Sequence, residues 1–145
     1  MNLKVIDYTY AFMEASFGEP KLTKEELTKK LVLVKNLLLE EHEELLVGYQ
    51  QNNISEIINA IADIRVVALN AVFYAGISKN YLKLLYKEAN SYFKICADYS
   101  PEMYLLKLYN RLSREPFSTL NIIEILCITD YIVKNNKDLT LKMLL

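Results

Sequence analysis

Hydrophobic side chains recur along the chain at the three- and four-residue spacing of helices, in six segments separated by polar, glycine or proline positions. Only three glycines and three prolines occur among 145 residues, which favours long helices over a many-stranded fold. We therefore predict an all-α fold, an antiparallel helical bundle with short connecting turns. The predicted helices cover residues 5–17, 24–47, 56–75, 79–97, 101–113 and 120–134.

Capping residues set the expected ends of these helices. Thr23, with a glutamate three residues later, predicts a capping box at the start of the second helix. Gly48 is expected to end that helix, and Ser55 to cap the third. Gly76 predicts the end of the third helix, and Ser78 the start of the fourth.

Composition is that of a single folded domain, because apolar residues make up 52% of the chain and charged residues 24%. The formal net charge is −1 and no basic stripe occurs, so we do not expect a nucleic-acid partner. A phosphate-bearing ligand would then need metal ions to reach an acidic site. Cys96 and Cys127 lack neighbours with metal-ligand spacing, which predicts buried reduced thiols in a cytoplasmic protein.

The most apolar stretch runs from Ile57 to Ile77. It contains Asp63 and Arg65 together with two asparagines, which are too many polar groups for a helix facing lipid. The first ten residues also lack the pattern of a signal peptide. We interpret the stretch as a buried helix of a soluble protein and expect no membrane partner.

A group of glutamates near the end of the second helix carries the candidate chemistry. At about 100° per residue, Glu41 and Glu44 lie within about 100° of Glu40, in the same sector as Leu33 and Leu37. Glu43 is expected to point away. Carboxylates that share an apolar stripe repel one another, and a divalent cation with oxygen ligands, such as Mg²⁺, would relieve this repulsion. The alternative is a solvated run of charge at a helix end.

A matching polar ridge lies on the third helix. Glu56, Asn59, Asn70 and Tyr74 fall within about 40° of Asp63 on the helical wheel. If the second and third helices pack antiparallel, this ridge would face the glutamates. The alternative is a buried hydrogen-bonded network without a ligand.

The order of these motifs resembles MazG-like nucleoside triphosphate pyrophosphohydrolases. The glutamates from Glu40 to Glu44 match the EExxE signature of that superfamily, and the segment from Phe12 to Pro20 is similar to the F…FG.P opening of its phosphoribosyl-ATP pyrophosphohydrolase-like branch. Residues 59–64, NAIADI, resemble DALADL, and residues 75–77 resemble the end of ALGI. Residues 88–94 are similar to EV..SN.SK with two residues fewer.

The resemblance covers residues 5–97 and implies a MazG-like core with a C-terminal helical extension, residues 98–145, within one domain. It implies a nucleoside triphosphate substrate, Mg²⁺ (with Mn²⁺ as a possible replacement) and a homodimer or homotetramer. Glu41 or Glu40 would act as the catalytic base. The implied metal ligands are Glu40, Glu41, Glu44 and Asp63, with Glu56 and Asn59 as further candidates; the implied substrate-binding residues are Asn90, Lys94, Phe12, Phe17 and Tyr74.

Other interpretations remain open at this point. Asn59 and Ala60 stand where the family usually has acids, which keeps open a relative that binds nucleotide without cleaving it. A helical oligomeric adaptor is a further alternative. The aromatic residues could be core residues, and Asn90 and Lys94 ordinary surface residues. His42 falls off the carboxylate face and is interpreted as structural.

Overall fold

A computed structural model of the chain describes residues 1–92, 101–112 and 119–134. The described part contains six α-helices and no strand, which confirms the predicted all-α class. The expected last turns of the fourth and fifth helices, together with Cys96, lie outside the described residues. The helices are α1 Lys4–Phe17, α2 Lys24–Gln50, α3 Ile54–Tyr74, α4 Lys79–Tyr92, α5 Pro101–Leu112 and α6 Thr119–Lys134.

Helix α3 lies at the centre of the fold, with α1, α2 and α6 packed against it. Its length would also suit a membrane span, as would the mean hydropathy of 1.6 of an 18-residue stretch within it. However, 56% of that stretch is buried inside the protein. Its buried residues include Ile57, Ile61, Ile64 and Leu69. This burial is what a core helix of a soluble protein shows, in line with the prediction for the apolar stretch.

The α2–α3 connection differs from the prediction. Gly48 does not end α2, which continues to Gln50, and the side chain of Asn53 rather than Ser55 caps α3 by accepting from Glu56 N at 3.3 Å. Gly48 is needed for close packing instead. A Cβ placed there would lie 3.0 Å from Ile57 Cγ1, so only glycine lets the two helices approach this closely.

The other predicted caps are confirmed. Thr23 Oγ1 accepts from Glu26 N at 3.1 Å, and Ser78 Oγ accepts from Tyr81 N at 3.2 Å. Gly76 follows α3 with a φ of 78°, a backbone conformation that favours glycine.

The C-terminal helices attach to the core through polar as well as apolar contacts. Arg65 on α3 donates to Asp130 on α6 at 2.8 Å and to Thr129 at 3.1 Å. Tyr86 on α4 donates to the same Asp130 carboxylate. Cys127 on α6 is fully buried and free, and burial raises the pKa of its thiol to about 11, as expected for an inert reduced cysteine.

Candidate functional site

The candidate site lies on the seam between α2 and α3, and two contacts fix how these helices are aligned. Gly48 lies against Ile57 at one end of the seam, and the Lys30 ammonium lies 5.1 Å from the centre of the Tyr74 ring at the other. The two helices therefore run antiparallel. This register places Glu41 opposite Asp63, as the sequence predicted for an antiparallel pair.

Glu41 is the carboxylate that the fold perturbs most. Its Oε2 is buried and has no hydrogen-bond partner. The pKa of Glu41 is raised from its ordinary value of 4.5 to about 7, first by burial and then by the charges of Asp63, Glu44 and Glu40 and a hydrogen bond with Glu44. A glutamate with this pKa exchanges its proton near neutral pH, a property that is common in functional sites.

An open cleft of about 540 Å³ lies at the turn between α2 and α3, and Glu40 and Glu44 line it but Glu41 does not. Glu43, which the sequence predicted to point away from the other glutamates, also lines this cleft. The cleft is lined by Glu40, Glu43, Glu44, Val47, Gln51, Asn53 and Glu56.

The apolar stripe that the sequence placed beside the glutamates is an open surface. Leu33 and Leu37 are 53% and 39% exposed, and Glu40 and Glu44 are exposed as well. The side of α2 that carries these glutamates is therefore not the side that faces the core. Val34, which is buried, marks the core-facing side. Only Glu41 of the three predicted ligands on α2 is partly buried.

The metal ligands that the sequence predicted on α3 also lie on this face. Asn59 and Asp63 are exposed there, and Glu56 lines the cleft. Among the residues that the structure describes, no three histidine, cysteine or acidic side chains are positioned to bind one metal ion. The donor set still fits Mg²⁺ in kind, because the orphaned Glu41 oxygen and its acidic neighbours are hard oxygen ligands.

Two of the predicted aromatic residues, Phe17 and Tyr74, lie at the opposite end of the seam. The rings of Phe17 and Tyr74 meet edge to face with centres 6.3 Å apart. Phe12 and Phe17 are both largely exposed, so neither is the core residue that the alternative interpretation proposed.

Asn90 does not join the carboxylates within the chain. It lines a cleft of about 170 Å³ with Asp130, Tyr131 and Lys134. Asp130 pairs with Arg65, which projects from the side of α3 away from Asp63. Lys94 lies outside the described residues.

His42 is buried and lies against Tyr109 of α5, with ring centres 5.5 Å apart. It thus joins α2 to α5, off the carboxylate face, as the helical wheel predicted.

Two polar side chains at the site had no role in the sequence interpretation. Asn70 was placed on the ridge of α3 but not in the site, and its Oδ1 is buried without a hydrogen-bond partner. Glu43 lines the cleft at the turn, which was not predicted. The ridge position of Asn70 was the available signal for that residue, whereas the cleft depends on how α2 and α3 meet at the turn.

No family model, curated protein or solved structure matches the chain. The resemblance to the MazG-like superfamily therefore rests on the motifs quoted above. What the site does has to be argued from its own residues.

Proposed function

We propose that the protein is a metal-dependent nucleoside triphosphate pyrophosphohydrolase, which converts an NTP or dNTP and water to the monophosphate and pyrophosphate. The observation that carries the proposal is the Glu41 carboxylate. It is partly buried, it has an orphaned oxygen, and its charged neighbours are other acids. An arrangement of this kind is unfavourable without a cation, so it fits a site made for a metal–phosphate ligand.

Mg²⁺ is the proposed cofactor, and Mn²⁺ could replace it. Glu40, Glu41, Glu44 and Asp63 would hold it, with Glu56 and Asn59 as further ligands at the turn. The proposal draws support from the charge interactions that Glu41 makes with Asp63, Glu44 and Glu40, which bring four of these acids near one another. Bound there, the metal would supply positive charge that attracts the phosphates and offsets the charge that develops on them.

Glu41 is proposed as the general base. Its carboxylate has a buried oxygen without a hydrogen-bond partner, and in the metal-free protein burial and acidic neighbours raise its affinity for a proton. A water molecule gives a proton to the Glu41 carboxylate and its oxygen bonds to the α-phosphorus. The bond from the α-phosphorus to the oxygen bridging to the β-phosphorus breaks, and pyrophosphate leaves with that oxygen. Glu40 is the second candidate for this base.

The nucleoside part of the substrate would extend along the seam toward the aromatic end, where Phe12, Phe17 and Tyr74 would contact the base. Leu33, Leu37 and Val66 leave apolar surface exposed between the two ends. A second copy of the chain would cover part of it, which supports a homodimer or homotetramer. Asn90 and Lys94, if they bind phosphate, would come from that second copy. We place the enzyme in the cytoplasm, with no nucleic-acid or membrane partner.

A second candidate is a relative that binds nucleotide or metal without cleaving it. It is favoured by Asn59 and Ala60 at positions where the family usually has acids, and by the lack of a preformed metal-binding group among the described residues. A helical oligomeric adaptor is the third candidate, because the same face exposes apolar side chains.

Pyrophosphate release from a panel of NTPs and dNTPs, with Mg²⁺ or Mn²⁺, tests the proposal. We expect metal-dependent release, and we expect Glu41→Gln to lower kcat by about 100-fold or more, because glutamine cannot accept the proton. Glu25→Gln is the matched control. Glu25 is an exposed residue in the first turn of α2, and the change should leave kcat unaltered.

Absence of release from every nucleotide by the folded protein would contradict the proposed reaction. Metal-dependent thermal stabilisation in that case would favour the binding relative. Absence of both effects would favour the adaptor.

A further inference from the structure

Helix α2 is covered along one side only. The side that packs against α3 and α5 carries the buried residues Val34, Leu38, His42, Leu45 and Gly48. The other side exposes large apolar side chains, and Val32, Leu33 and Leu37 are 58%, 53% and 39% exposed there. Leu37 is the middle residue of the helix Lys24–Gln50, so this apolar patch lies near the helix midpoint.

The charges of α2 are separated along its length. Residues 24–36 include four lysines and two glutamates, a formal charge of +2, whereas residues 38–50 include four glutamates and neither lysine nor arginine, a formal charge of −4. A contact between two identical copies requires a surface that is complementary to itself. Two antiparallel α2 helices meet this requirement, because the basic half of each lies against the acidic half of the other and the apolar patches meet at the middle.

Lys29 and Glu43 are the side chains that such a pairing would bring together. Each lies seven residues, or two helical turns, from Asn36, and the two are about 40° apart on the exposed side of the helix. The Lys29 side chain is 79% exposed, and its ion pair with Glu25 is loose, at 3.9 Å. Glu43 lines the cleft at the turn, and in the described part of the chain no lysine or arginine lines that cleft.

We propose that a second copy of the chain docks on this side of α2, with the two helices antiparallel about a two-fold axis near Asn36. This interface rests on the homo-oligomer of the proposed function, to which it gives a contact surface, and it does not depend on the reaction. Leu33 and Leu37 of both copies pack together at the axis. The partner's Lys29 lies beside Glu43 and supplies positive charge to the acidic cleft.

Sedimentation of the protein over a range of concentrations tests the charge pairing, because it gives the Kd of the dimer. Lys29→Glu places like charges opposite each other at both symmetric contacts and should raise the Kd by about 10-fold or more. Adding Glu43→Lys to that variant restores opposite charges and should return the Kd to near the wild-type value. Lys87→Glu on the exposed side of α4 makes the same change in net charge and should leave the Kd unaltered.

Leu33→Arg tests the apolar part of the interface. The change would bury a charge of each copy at the axis, so we expect the Kd to rise by about 100-fold or more. Because Leu33 is exposed in the single chain, the helices should form as before, and circular dichroism of the variant measures this.

A wild type that stays monomeric at every concentration overturns the proposed interface. Dimers of Leu33→Arg or Lys29→Glu that are as tight as those of the wild type place the contact elsewhere and overturn it too. A Kd that does not recover when Glu43→Lys is added shows that the helices are not antiparallel. The reaction is judged separately, since a monomer that hydrolyses nucleotides rejects only the interface, and a dimer that hydrolyses none rejects only the reaction.

Discussion

Two charged side chains only two residues apart on α3 face opposite sides of the helix and have opposite surroundings. Arg65 is 9% exposed and meets Asp130 and Thr129, so its charge has a counterion and its donors have acceptors. Asp63 faces the carboxylates of Glu41 and its neighbours. Burial lowers the pKa of Arg65, and the nearby Asp130 opposes this change by raising it. For Glu41, burial and the neighbouring charges both raise the pKa.

The difference separates a structural charge from a candidate functional one. On the Arg65 side, the chain itself supplies the opposite charge, and the network joins α3 to α4 and α6. On the Asp63 side, the carboxylates around Glu41 carry the same charge as Glu41. They raise its pKa and do not neutralise its charge. A site that is left unfavourable in this way points to a ligand supplied from outside. The predictions below test this contrast.

The largest effect is expected for Asp130→Ala on the structural side. The change would leave the Arg65 guanidinium buried without its counterion, and losing one partner of a buried pair costs about 3–5 kcal/mol. Urea denaturation should show this loss as a lower midpoint with the slope unchanged. Asp7→Ala is the control. Its pair with Lys83 is more exposed and more strongly screened by solvent, so its removal should lower the midpoint far less. Equal losses for the two variants would contradict a structural role for the Arg65 network.

A smaller effect is expected for Gly48→Ala at the end of the seam. The new Cβ would lie 3.0 Å from Ile57 Cγ1 and 3.2 Å from Ile57 N, so the Ile57 side chain or the helices must shift by a few tenths of an ångström, and we expect part of this shift to be a separation of α2 and α3. Such overpacking costs about 1–3 kcal/mol, whereas alanine alone would favour the helix. Separation would also move the glutamates relative to Asp63, so we expect a higher Mg²⁺ requirement in the release assay. A variant more stable than the wild type would show that the helices do not meet this closely.

The fold followed closely from the sequence, because helix periodicity and capping residues act locally. Thr23, Ser78 and Gly76 each stand beside the backbone group that they cap or turn. Gly48 was misassigned because its role depends on Ile57, a residue of another helix that no local pattern shows.

The candidate site was predictable in its residue types but only partly in its geometry. The helical wheel grouped the acids correctly, and the antiparallel register then brought Glu41 to Asp63. The helical wheel could not show that Leu33 and Leu37 are exposed, because which side of α2 faces the core depends on where α3 and α5 pack. The orphaned oxygens of Glu41 and Asn70 depend on tertiary burial and could not have been predicted from either helix alone.

Mg²⁺ binding should stabilise the functional side of α3. A ligand that binds only the folded state adds about 1.4 kcal/mol when it is present at ten times its dissociation constant. Thermal unfolding with and without Mg²⁺ measures this shift, and Asp63→Asn should reduce it. Asp130→Asn is the matched change on the structural side. It should leave the Mg²⁺ shift in place while lowering stability in both conditions. A shift of the same size in Asp63→Asn and the wild type would remove Asp63 from the metal site.

The smallest effect is the pH dependence that Glu41 contributes. In the unfolded chain Glu41 loses its proton near its ordinary pKa of 4.5, but in the folded protein it keeps the proton until about pH 7. The folded state therefore binds more protons between these values, so raising the pH through this window lowers the free energy of unfolding. Above about pH 7 both states are ionised and the contribution is constant. With a chelator present to exclude metal, the Tm of the wild type should fall relative to that of Glu41→Gln between pH 5 and pH 7.5, by less than the full pKa difference implies because solvent screens a partly exposed carboxylate. Parallel Tm curves for the two proteins would show that the Glu41 carboxylate is not perturbed, and the contrast between the two sides of α3 would then lose its main support.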